Sequence, residues 1–89
     1  MKHIDIIVKG KAQGVFFRHF AQKRAEELGI KGFAENLPDG SVYIEAEGEE
    51  ENLKNFIDWC HQGSPLAQVK SVGFKYNDNL KEFKNFITK

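Results

Sequence analysis

An α+β fold is what the 89 residues predict: two helices on one face of an antiparallel sheet of order 4-1-3-2, with a short C-terminal strand beyond it. Three observations carry the reading. Segments alternating apolar and polar residues, as strands do, flank segments whose apolar residues recur every three or four positions, as in helices. The elements succeed one another as strand, helix, strand, strand, helix, strand. Turn residues sit at each junction. That order is the split β-α-β arrangement of ferredoxin-like folds.

His3 to Lys9 reads as the first strand, with Ile4, Ile6 and Val8 on one face and Asp5, Ile7 and Lys9 on the other. A glycine loop follows, then a helix from Phe17 to Leu28 on the spacing of Phe17, Ala21, Ala25 and Leu28, stopped by Gly29. Ile30 to Asn36 is a second strand. Leu37-Pro38-Asp39-Gly40 is a turn, because Pro presets φ and Gly accepts a left-handed backbone, so Ser41 to Glu47 returns as the other arm of a hairpin. Gly48 breaks that strand. Glu49-Glu50-Glu51 then opens a helix whose positive end favours carboxylates, with Leu53, Phe56, Ile57 and Cys60 as its apolar stripe and Gly63-Ser64-Pro65 as its stop. Val69 to Tyr76 is the fourth strand, and a parity switch between Val69 and Val72 points to a bulge. After Asn77-Asp78-Asn79, Phe83 to Ile87 forms a short closing strand.

Length and charge bound the function. One domain, residues 1–89, with one modest core is expected at this size. Acidic and basic residues each total 13, so no global field steers the chain to nucleic acid or an anionic membrane. No apolar run is long enough to span a bilayer, and the N-terminus is charged too early for a signal peptide. A single cysteine, Cys60, leaves no intrachain disulfide, and a cytoplasmic monomer is the expectation.

Against that neutral background, Gly10-Lys11-Ala12-Gln13-Gly14-Val15-Phe16-Phe17-Arg18 stands out. It links a strand to a helix, and between Lys9 and Arg24 there are five cations and no Asp or Glu. Backbone N–H groups curled at a helix N-terminus make a site for a phosphate-sized anion. Arg18 falls in the helix's first turn, where a cation is disfavoured unless an anion lies between. Its planar fork can grip two phosphate oxygens at once. Because a right-handed crossover makes strands one and two parallel, with strand three between them, their carboxyl ends share one sheet edge. Arg18 and Asn36 should therefore meet there, about 10 Å apart, with room for a phosphate and a water.

These residues resemble the acylphosphatase family. The resemblance rests on Gly10-x-x-Gln13-Gly14-Val15-x-Phe17-Arg18, on Ala25-x-x-Leu28-Gly29-x-x-Gly32, and on Asn36-x-x-Asp39-Gly40-x-Val42. Glu47-Gly48 and Gly63-x-Pro65-x-Ala67-x-Val69 extend it over nearly the whole chain. It implies hydrolysis of the carboxylic–phosphoric anhydride of an acyl phosphate to carboxylate and inorganic phosphate, with no metal or other cofactor. By position it implies Arg18 as the catalytic arginine and Asn36 as the residue that orients water. Gln13, Gly14, Val15, Phe16, Phe17 and Arg18 would bind the substrate phosphate, and the phosphate product would inhibit. Ala12 departs from the family's usual Val, and Phe16 stands at a variable position.

Other candidates are weaker. His3, His19 and His61 have no metal-ligand spacing, and His19 reads as a surface residue. Glu45, Glu47, Glu49, Glu50 and Glu51 read as a solvated acidic face, while Trp59 and Cys60 read as packing. RNA-binding domains share this element order, but the open sheet face would carry Tyr43 among Asp5, Glu45 and Glu47, which repel a phosphate backbone. The alternative to an enzyme is a non-catalytic phosphate or carbamoyl-phosphate binding module of the same fold. Acetyl phosphate, carbamoyl phosphate and 1,3-bisphosphoglycerate all offer the same reactive group, and the sequence does not choose among them.

Overall fold

The computed structural model describes residues 1–89. In chain order the elements are β1 (Lys2–Lys11), α1 (Phe17–Glu27), β2 (Lys31–Asn36), β3 (Val42–Gly48), α2 (Glu50–Gln62), β4 (Gln68–Asn77) and β5 (Phe86–Thr88). The sheet order is β4-β1-β3-β2-β5. β1 pairs antiparallel with β3 and β4, and β2 pairs antiparallel with β3. The expected ferredoxin-like arrangement is present. The closing strand adds a feature: it is shorter than the sequence suggests and joins β2 in parallel, so the five-stranded sheet is mixed.

The core lies between the sheet and the two helices, as the alternation requires. Ile4, Ile6 and Val8 of β1 pack with Val42, Ile44 and Ala46 of β3, with Ala21 and Ala25 of α1, and with Leu53, Phe56 and Cys60 of α2. Burial pushes the Cys60 thiol well above its ordinary pKa, so Cys60 is a small buried hydrophobe rather than a nucleophile. Phe17, at the head of α1, lies 5.0 Å from Trp59, whose ring stacks on Phe56. This aromatic contact pins the start of α1 against α2. The bulge suggested by the valine parity is found where Lys9 faces Ser71 but Gly10 faces Val69, leaving Lys70 unpaired. Gly10 is required there. Its φ is 118°, and a Cβ would stand 2.3 Å from the Gln68 carbonyl oxygen.

The other face of the sheet corrects one expectation. Glu45 and Glu47 are not solvated: they are 7% and 3% exposed. The segment between β4 and β5 folds back over them, stacking Phe83 on His3 and against Phe33. Glu47 accepts the main-chain N–H groups of Lys81 and Glu82 at 2.6 and 2.9 Å and lies 2.6 Å from His3 Nδ1. Nε2 of His3 faces Asp5 and Glu45 at 3.1 and 3.3 Å. Lys81 Nζ sits 2.7 Å from Glu45 Oε1, and the Tyr43 hydroxyl donates to Glu45 at 2.8 Å. His3 and Lys81 thus supply the positive charge that three clustered carboxylates require. Burial opposes the charge of His3, yet the Glu47 and Asp5 carboxylates outweigh it and raise its pKa above the ordinary 6.5. The network is a clasp holding the 78–85 segment, and hence β5, in place.

Candidate active site

The chain leaves β1 at Lys11 and turns into α1 through residues 12–16. Gly14 has a φ of 74°. Phe16, at the helix N-cap, has a φ of 63° and no side-chain cap. The left-handed curl therefore involves a phenylalanine as well as the glycine that the sequence marks for it. The first helical hydrogen bond runs from Phe20 N to Phe16 O at 3.1 Å. From Gly14 through His19, no main-chain N–H donates to another main-chain group. No acidic residue occupies the first turn of α1 to satisfy them. This is a concave array of free donors at the positive end of a helix.

Two ties hold the array in shape. The Ser64 hydroxyl, just past α2, donates to the Val15 carbonyl at 2.7 Å, and the Val15 side chain is buried. Gln13 corrects a second expectation. Rather than pointing its amide at the array, it donates Nε2 to the Leu37 and Ser41 carbonyls, both at 2.8 Å. Both amide hydrogens are used there, so the Gln13 side chain is a positioning strut between the loop and the β2–β3 hairpin.

The donor array opens on a cavity of about 330 Å³ lined by Ala12, Gly14, Phe16, Phe17, Arg18, His19, Gln22, Asn36 and Thr88. Arg18 and Asn36, far apart in the chain, line it together. The side chain of Arg18 donates Nη1 to the main-chain oxygen of Lys89. A guanidinium has five N–H donors, so most remain for a ligand. Asn36, the last residue of β2, is exposed and opposite Val42 in the hairpin ladder.

Three lining residues escape the sequence reading. Gln22 lies four positions beyond Arg18 and so shares its helix face, a signal legible in the spacing. Its Nε2 donates to the Phe86 carbonyl at 2.9 Å, docking β5 on α1. His19, expected at the surface, is exposed but borders the cavity, its ring edge-on to Phe20. Thr88 arrives only because β5 adds to β2, and nothing in its local sequence announces that.

The family model described as Acylphosphatase matches residues 4–88. This chain belongs to the acylphosphatase family. An acylphosphatase of Shewanella amazonensis is 51% identical over 72 residues, 81% of this chain and 79% of that one. The crystal structure of acylphosphatase from Bacillus subtilis superposes with a TM-score of 0.98 at 35% identity, covering 100% of this chain and 99% of that one. The HypF structure from T. kodakarensis contains the same fold, with a TM-score of 0.85 and 33% identity, over 100% of this chain but 12% of that one. No helix is long and apolar enough to cross a membrane.

Proposed function

We propose that this acylphosphatase-family chain hydrolyses acyl phosphates to carboxylate and inorganic phosphate at the cavity between α1 and β2, acting as a monomer on a small-molecule substrate. The observation that carries this reading is the run of free N–H groups from Gly14 to His19, on a loop and helix start that line the same cavity as Asn36.

The phosphoryl group sits in the curl of N–H donors, with Arg18 bridging two of its oxygens. As the bond to the carboxylate oxygen lengthens, charge spreads over the equatorial oxygens, and these fixed dipoles and the guanidinium oppose it without reorganising. Asn36 donates to and accepts from a water, aiming it in line at phosphorus. An amide cannot serve as a general base, and no Asp or Glu lines the cavity, so the water's proton passes to a phosphoryl oxygen of the substrate. The leaving group is a carboxylate, stable as an anion near neutral pH, and needs no acid to depart.

The donor set supports metal-free turnover: the lining offers one histidine and no carboxylate, a poor nest for magnesium or zinc. The test is release of phosphate from benzoyl phosphate with and without EDTA. Equal turnover in both supports the mechanism. Activity lost on chelation and restored by magnesium or zinc overturns the metal-free step. Tight binding of inorganic phosphate with no turnover of any acyl phosphate instead supports a phosphate-holding module, the second reading, which the likeness to a small part of a full-length HypF solved in a phosphate- and nucleotide-bound form favours.

A further inference from the structure

The phosphate end of the cavity is crowded with partners, whereas the acyl half of a substrate has so far been assigned none. Three apolar residues line the cavity: Ala12, Phe16 and Phe17. Ala12 is 2% exposed and Phe17 is 1% exposed, so both belong to the core. Phe16 is 71% exposed. It is the single apolar side chain that both borders the cavity and offers its surface to an incoming molecule. The remaining side chains of the lining are polar.

The conformation of Phe16 sharpens the point. A φ of 63° lies in the left-handed region, which is unfavourable for a bulky residue. The curl of donors accounts for that backbone conformation, but it does not account for a phenyl ring. Glycine or asparagine would make the same curl at lower cost and without leaving an aromatic face in water. Nothing in the fold uses the ring: no aromatic pair or core cluster includes it. What the ring does have is a place at the rim, two residues from Arg18.

We infer that Phe16 is the surface that recognises the acyl group, and that it makes the site favour aromatic or extended apolar acyl phosphates over acetyl or carbamoyl phosphate. This rests on the reading of the cavity as an acyl-phosphate site. With phosphate anchored in the curl, an acyl group projecting to the rim meets the Phe16 ring. An aromatic acyl group covers part of that ring in an offset or edge-on arrangement, whereas an acetyl group covers little of it. Offset aromatic pairs contribute enough, beyond the area they bury, for about a three- to tenfold preference. His19 and Thr88, the polar neighbours at the rim, offer no comparable apolar surface.

The experiment compares kcat/KM for benzoyl and acetyl phosphate in the unaltered chain, in Phe16→Asn and in Phe16→Tyr. Asparagine tolerates the left-handed backbone, so it removes the ring while sparing the curl. The expected result is that the benzoyl-to-acetyl ratio drops about three- to tenfold in Phe16→Asn and is kept in Phe16→Tyr. An unchanged ratio in Phe16→Asn, whether or not both activities decline together, overturns the assignment. Calorimetry with the non-hydrolysable benzoylphosphonate and acetylphosphonate reads the ring without turnover. If the unaltered chain hydrolyses neither substrate, the reaction assignment fails. A benzoyl preference that is present in binding and lost in Phe16→Asn would still support the ring. Equal binding of the two phosphonates by the unaltered chain would overturn it.

Discussion

The side-chain amide of Gln13 donates to the carbonyl oxygen of Leu37, 24 residues away, at 2.8 Å, and its second hydrogen reaches Ser41. Those two carbonyls also close the hairpin: Leu37 N donates to Ser41 O, and Gly40 N to Leu37 O. One glutamine thus ties the donor curl to the turn that follows Asn36. Gln13→Ala should destabilise the fold by about 1–2 kcal/mol, the scale of lost hydrogen bonds to partly buried acceptors. It should also lower kcat more than phosphate affinity, because the curl keeps its second tie from Ser64 to Val15, whereas the turn after Asn36 loses both contacts to Gln13. Denaturant unfolding and phosphate inhibition measured together decide the point. A variant of normal stability whose phosphate affinity collapses would put Gln13 in the phosphate cradle instead.

Arg18→Ala should reduce both phosphate affinity and turnover, with a loss in kcat/KM of at least about a hundredfold, the order seen when one preorganised charge-stabilising group is removed. Arg18→Lys should recover little, since a point charge lacks the fork that spans two oxygens. Near-normal activity in the lysine variant would reduce Arg18 to a point charge.

Asn36→Ala should lower kcat about a hundredfold or more while leaving inhibition by inorganic phosphate nearly unchanged, because bound phosphate needs no positioned water. Thermal stability is measured alongside, as Asn36 ends β2 directly before the turn. Parallel losses of phosphate affinity and turnover in a well-folded variant would move Asn36 into the phosphate cradle.

The pH dependence of stability should report the buried clasp around His3. Its pKa is raised in the fold, so its contribution is complete below about pH 6.5 and is lost as pH rises through the raised value. For Glu45 and Glu47, burial alone would raise the pKa. Hydrogen bonds from Lys81 and Tyr43 to Glu45, and from the Lys81 main chain and His3 to Glu47, outweigh it and lower both below the ordinary 4.5. Their contribution is present above that value and is lost as pH falls through the lowered ones. Melting temperature should therefore be highest between about pH 4.5 and 6.5 and decline on both sides. His3→Gln should flatten the alkaline limb. An alkaline limb of the same slope in that variant would show that His3 does not drive it.

The element order, the hairpin, the bulge opposite Gly10 and the meeting of Arg18 with Asn36 were all legible in the sequence. Each follows from a local or topological rule: residue periodicity, turn chemistry, or the handedness of a crossover. Tertiary structure alone decided the fate of residues whose roles depend on a distant partner. Glu45 and Glu47 alternate with apolar neighbours and read as solvated. They are buried because a later segment, with Lys81 and Phe83, closes over them. Gln13 reads as a phosphate contact because it sits in the loop, and becomes a strut because the carbonyls of Leu37 and Ser41 are within its reach. Thr88 joins the cavity only through the parallel pairing of β5 with β2. Periodicity reports which face of an element is apolar, and it carries no information about which remote segment will cover the other face.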